Sequence, residues 1–98
     1  MPDVVWQFAE RLDRDGHTAE AAGIYAGFAG HFPEDPRRLE SRFRSARLYA
    51  AVDTDKASEV YRSIAGDYPE SREADLARLE LIGLTTGNRT AEDVAGEL

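Results

Sequence analysis

The residues best suited to chemistry in this 98-residue chain are its two histidines, its carboxylate-rich turns and a run of arginines. His17 is placed in a turn and His31 at a helix end, fourteen residues apart. Neither has a cysteine or a second histidine at ligand spacing, so a metal site is not expected. The stretch "LDRDGHT" offers Asp13, Asp15 and Gly16, but a calcium loop needs its glycine later and a glutamate near its end. "DTDKASE" fails the same comparison because it has no glycine. These acids are read as helix caps. Carboxylates are plentiful, yet none is set off in an apolar surround that would raise its pKa. There is no glycine-rich phosphate loop and no Gly-x-Ser-x-Gly. No cofactor and no enzymatic activity are therefore expected.

Charge narrows the partners. The net charge is −7, which argues against general nucleic-acid binding by phosphate neutralisation. Residues 37–47 run the other way, with Arg37, Arg38, Arg42, Arg44 and Arg47 against Glu40 alone. Two readings stand for this cluster. It grips an acidic peptide or terminal carboxylate through paired hydrogen bonds. Or it pairs with nearby acids, Glu34 and Asp35 before it and Glu70, Glu73 and Asp75 after it. There are no cysteines, which removes disulfides and thiol chemistry. No apolar run is long enough to span a membrane, and no signal peptide is visible. A cytoplasmic setting is favoured on that ground, and a periplasmic one is open if a leader has been removed. The sequon at Asn88-Arg89-Thr90 is read as turn and cap chemistry.

The elements that position these residues come from a repeat. Residues 20–36 read EAAGIYAGFAGHFPEDP, and residues 56–72 read KASEVYRSIAGDYPESR. Six of seventeen positions are identical: Ala21/Ala57, Tyr25/Tyr61, Ala29/Ala65, Gly30/Gly66, Pro33/Pro69 and Glu34/Glu70. Ile24/Val60, Phe28/Ile64 and Phe32/Tyr68 are alike in kind. The apolar positions follow helical spacing, and each proline stops its helix. Small Ala21 and Ala57 admit a neighbouring helix, and the aromatics fill the space between layers.

Each of these helices has a partner before it. Over residues 4–15 the stripe is Val5, Phe8, Ala9 and Leu12, broken by Gly16, with Thr18 opening the next helix. Over 37–52 it is Leu39, Phe43, Ala46 and Ala50, with Asp53 and Thr54 opening the next. Over 72–86 it is Leu76, Leu79, Ile82 and Gly83, with Ala77, Leu81 and Leu84 alongside, and Gly87 as a stop. Thr90 and Asp93 have the spacing of a capping box for a sixth helix at 91–98. The expected fold is all-α: a single domain of six helices in three antiparallel pairs, with units at about 4–36, 37–71 and 72–98 and no strand.

This order resembles the tetratricopeptide repeat family. The residues that carry the likeness are Ala9, Leu12, Gly16, Ala21, Tyr25, Phe28 and Pro33, then Ala46, Tyr49, Ala57, Tyr61, Ile64 and Pro69. The phrase after each second helix is similar to bacterial envelope members. The chain departs where Val52 runs straight into Asp53, one residue short of the usual turn, and where the third unit lacks the Ala–aromatic–Pro series. The resemblance implies a short right-handed superhelix of about two and a half repeats. It implies a scaffold whose concave groove holds a peptide or helix of another protein. Carried over, that groove presents Trp6, Glu10, Asp13 and Arg14 from the first unit and Phe43, Arg47, Ala50 and Ala51 from the second. Trp6 and Phe43 are either exposed anchors for a partner's apolar side chain or packing of the N-terminal layer. The family's carboxylate-clamp subclass is not expected, because Asn88 is the only asparagine and lies outside the groove helices. A second function, self-association through open repeat ends, remains open beside the first.

Overall fold

The structure, a computed structural model, describes residues 2–88. Five helices account for nearly all of them: α1 (Pro2–Arg14), α2 (Thr18–His31), α3 (Arg38–Val52), α4 (Thr54–Asp67) and α5 (Arg72–Asn88). There is no strand among the described residues, and no helix there is long and apolar enough to cross a membrane. The fold is an all-α stack of adjacent helices. The expected helix at 91–98, with its cap at Thr90, lies outside the described residues.

Local signals set most boundaries. Pro2 sits in the first turn of α1, where its missing N–H is no loss. Gly16 closes α1 with a φ of 88°, a left-handed turn that favours glycine. α3 has no such turn. It continues through Val52, and Asp53 alone joins it to α4. Asp53 is extended, at φ −156°, and its carboxylate accepts from the Lys56 amide at 3.1 Å. The residue missing from the usual turn is thus absorbed by a longer α3 and a one-residue cap. Ser71 does both jobs at the start of α5. Its hydroxyl donates to the Tyr68 carbonyl and accepts from the Ala74 amide. Gly87 does not stop α5, which runs on to Asn88.

The core has two parts. Trp6, Ala9, Tyr25 and Phe28 are buried together, with Val5, Ile24, Phe32 and Leu48 against them. Ala46, Ala57, Tyr61, Ile64 and Ala77 form the second cluster, supported by Leu39, Phe43, Tyr49, Ala50, Val60, Leu81 and Leu84. The repeat is visible in the burial. Ala21 and Ala57 are fully buried, and so are the paired Tyr25 and Tyr61 and the paired Phe28 and Ile64. Small residues bring α2 and α3 together: Ala21, Ala22, Ser41 and Ser45 are all buried. The two serine hydroxyls donate to the carbonyls of Arg38 and Arg42, three residues back, so neither is left unpaired.

One expected stripe and one residue of another are turned outward. Phe8 is half exposed while Val5 and Ala9 of the same helix face the core. On α5, Ala74, Ala77, Leu81 and Leu84 pack inward, whereas Leu76, Leu79 and Ile82 face out. α5 is apolar on two sides, and α4 covers only one of them.

Candidate functional site

Consecutive helices approach each other's backbone closely, and α3 also approaches α5, but no Cα of α1 comes within 8 Å of one in α3. Side chains fill that space, and what they leave open is the candidate site. A cleft of about 430 Å³ is lined by Asp13, Tyr25, Arg44, Arg47 and Leu48. A shallower one of about 280 Å³ adjoins it, lined by Glu10, Asp13, Arg14, Tyr25 and Arg44.

Arg44 is the centre of the arrangement. It leaves α3 and crosses to α1 and α2, where its guanidinium donates to the Tyr25 hydroxyl at 3.2 Å and pairs with Glu10 at 3.6 Å. Within α3 it also pairs with Glu40 at 2.8 Å. Its Cζ lies 4.8 Å from the Trp6 ring centroid and 5.6 Å from that of Tyr25. Burial works against the guanidinium's charge, but the Tyr25 hydroxyl and Glu40 outweigh it and raise its pKa. Burial in turn pushes the Tyr25 phenol up, although the hydrogen bond from Arg44 pulls it down.

Arg37 closes the other end of the same layer. Its guanidinium donates to both carboxylate oxygens of Asp35 at 3.0 Å and to Asp3 of α1 at 2.7 Å. Its Cζ stands 5.2 Å from Trp6 and 5.5 Å from Phe28. Hydrogen bonds from the Arg37 side chain and amide hold the Asp35 carboxyl below the ordinary aspartate range, and Asp35 raises Arg37 in return. Two guanidiniums thus cover one indole, each attracted to the negative face of the ring.

The arginine run is therefore paired for the most part, and of the acids expected only Asp35 takes part. Arg37 takes Asp35 and Asp3, Arg42 takes Asp67 at 3.4 Å, and Arg44 takes Glu40 and Glu10. Arg42 also donates to the Ser63 hydroxyl and lies over the Tyr68 ring. Arg38 donates to the Pro33 carbonyl. Glu34, Glu70 and Glu73 pair with none of these arginines, and Asp75 pairs with Arg78 instead. Arg47 is exposed and has no ion pair among the described residues.

The groove residues divide accordingly. Glu10, Asp13, Arg14 and Arg47 are divided over the two adjoining clefts, Arg47 at the larger, Glu10 and Arg14 at the shallower and Asp13 at both. Trp6 is not presented there. It is 7% exposed and packs edge-on against Tyr25 and Phe28, with ring centroids 5.2 Å away in each case. Phe43 is half-buried and packs on Tyr61 in the other core cluster. Both aromatics are packing residues, because each fills a gap beside a repeat tyrosine. Ala50 is half-buried against the second cluster. Arg44, Tyr25 and Leu48 line the cleft without having been singled out for it. The available signal was Tyr25 itself: a buried repeat tyrosine needs a partner for its hydroxyl, and an arginine nineteen residues on supplies one.

Compared with protein-family models, characterised proteins and solved structures, the chain matches none.

Proposed function

We propose that the chain is a non-enzymatic interaction scaffold of the tetratricopeptide-repeat kind, holding a peptide or helix of another protein in the cleft between α1 and α3. The observation that carries this reading is the state of the charges around the cleft. Its inner groups, Arg44, Glu10 and Tyr25, are tied to one another. Its outer groups, Asp13, Arg14 and Arg47, are exposed and have no ion pair among the described residues. A fixed floor with unsatisfied charges of both signs at the rim, beside the apolar wall of Leu48, suits a segment that offers a carboxylate, a cation and one apolar side chain. Nothing in the cleft pairs a nucleophile with a base, which supports binding over reaction.

Site-specific photocrosslinking tests it. A crosslinking residue at Arg47 or Arg14 is expected to capture one discrete partner in the source cells. The same residue at Glu59 or Arg62, exposed on α4, is not. Equal capture from both positions would remove the groove assignment. A competing reading, self-association, is favoured by the large apolar side chains exposed on α1 and α5.

A further inference from the structure

One tie on the floor of the cleft between α1 and α3 is looser than the rest. Arg44 gives its Nε and Nη2 side to Glu40, at 3.0 and 2.8 Å. Its Nη1 donates to the Tyr25 hydroxyl at 3.2 Å and stands 3.6 Å from Glu10 Oε2. The last distance suits an ion pair and is too long for a hydrogen bond. Nη1 carries two hydrogens. Tyr25 takes one of them, and the other has no hydrogen-bond acceptor among the described residues.

Arg47 stands three residues further along α3, on the same helix face as Arg44. It lines the same cleft, is exposed and has no ion pair among the described residues. Two guanidiniums therefore border about 430 Å³ of open space with donors to spare. One carboxylate has two oxygens and about four acceptor sites, enough to serve both.

Glu10 is the acid that α1 turns to this place, and it reaches only Arg44. The side chains of that pair are 39% and 41% exposed, so water screens the pair and little holds it. A partner helix lying in the cleft presents side chains to α3 as α1 presents Glu10. Asp13, exposed at the same cleft, is there for the partner's cation.

We infer that the cleft takes the side-chain carboxylate of an aspartate or glutamate on the partner segment, held jointly by Arg44 and Arg47, and that Glu10 occupies part of that place until displaced. The inference rests on the scaffold reading and names the chemistry that its cleft selects. Glu10 is on this account a built-in competitor, which weakens capture of every acidic segment and most affects those that offer little besides the acid.

Nuclear magnetic resonance titration of the full chain with acetyl-Leu-Glu-amide tests it, read at the Nε–H signals of Arg44 and Arg47. Saturable shifts are expected at millimolar peptide, and none with acetyl-Leu-Gln-amide. Arg47→Ala is expected to weaken binding about tenfold. Glu10→Gln leaves Arg44 its ties to Tyr25 and Glu40 and is expected to tighten binding about two- to fivefold, the worth of an open ion pair. Binding no tighter in Glu10→Gln would overturn the displacement. An equal response to acetyl-Leu-Gln with a free terminal carboxylate would overturn the side-chain assignment in favour of a chain end. Absence of any response, with the crosslinker at Arg47 still capturing its partner, would sink the inference and leave the scaffold reading standing. Loss of both would sink both. Glu10→Gln keeps the shape of a half-exposed side chain, so helical circular dichroism is expected to be retained; otherwise Glu10→Asp, which draws the carboxylate back from Arg44, takes its place.

Discussion

The two repeat tyrosines show how a single hydrogen bond separates equivalent positions. Tyr25 and Tyr61 are equally buried, but Arg44 satisfies the hydroxyl of the first, while the hydroxyl of Tyr61 has no partner among the described residues. The counterpart of Arg44 one repeat later is Glu80, so the donor is lost. Removing a satisfied buried hydroxyl costs about 1 kcal/mol, whereas removing an orphan is neutral or favourable. Urea denaturation should therefore show Tyr25→Phe destabilised by about 1 kcal/mol and Tyr61→Phe unchanged or more stable. Burial first, then the nearby Glu80, pushes the Tyr61 phenol from 10.0 up to about 12. An acid whose folded pKa is raised contributes stability below its unfolded value and loses it as pH climbs through the folded one. Stability should accordingly decline between about pH 10 and pH 12, and Tyr61→Phe should flatten that decline. Asp35 works at the opposite end. Its folded pKa lies below the ordinary aspartate value, so its contribution is present above about pH 4 and disappears as pH falls further. Asp35→Asn should remove that part of the acid limb, as followed by circular dichroism, and leave neutral-pH spectra unchanged.

At the scale of elements, the two intra-unit turns make different demands. Gly16 holds a left-handed φ with open space around it, so a side chain there meets no clash but does meet backbone strain. Gly16→Ala should cost about 1–2 kcal/mol in thermal or urea unfolding. Asp53→Ala removes a true N-cap and should cost about 1 kcal/mol. A Gly16 variant without penalty would mean that the turn is not held as described. These elements were legible in the residues because prolines, Gly16 and the 36-residue repeat mark helix ends by local rules. Their orientation was less so. α5 carries apolar residues on two faces, and local periodicity does not say which one α4 will cover. Leu76, Leu79 and Ile82 read as a core stripe and lie outside, while the smaller Ala74 and Ala77 are buried. Trp6 has the same origin. Its spacing was compatible with either groove or core, and the rings of Tyr25 and Phe28 together with the guanidiniums of Arg37 and Arg44 decide for the core. Four of the cleft residues, Glu10, Asp13, Arg14 and Arg47, were readable because the resemblance implies a groove along the first helix of each unit. Arg44 was not, because its role depends on how far apart those helices stand.

Across the whole molecule, the uneven spacing of helices sets where the stack opens. A repeat array is stabilised mainly by neighbour-to-neighbour contacts, so each helix is as secure as the surfaces it shares. Among the described residues α3 has backbone neighbours in α2, α4 and α5, whereas α1 has only α2. Its ion pairs to α3 and to the residue just before it run through two arginines, Arg44 to Glu10 and Arg37 to Asp3. Side-chain bridges over a partly wet cleft yield more readily than packed backbone, so α1 should open in events that leave α3 and α4 folded. Native-state hydrogen exchange is expected to give α1 amides lower protection than those of α3 and α4. Arg44→Ala should lower α1 protection further and leave α4 unaltered, because α4 takes no contact from Arg44. The same opening would widen the cleft between α1 and α3, so Arg44→Ala should also change crosslinking yield at Arg47 without touching Arg47 itself. Protection in α1 equal to that in α4, unmoved by Arg44→Ala, would show that the arginine bridges contribute nothing to holding the first pair against the second.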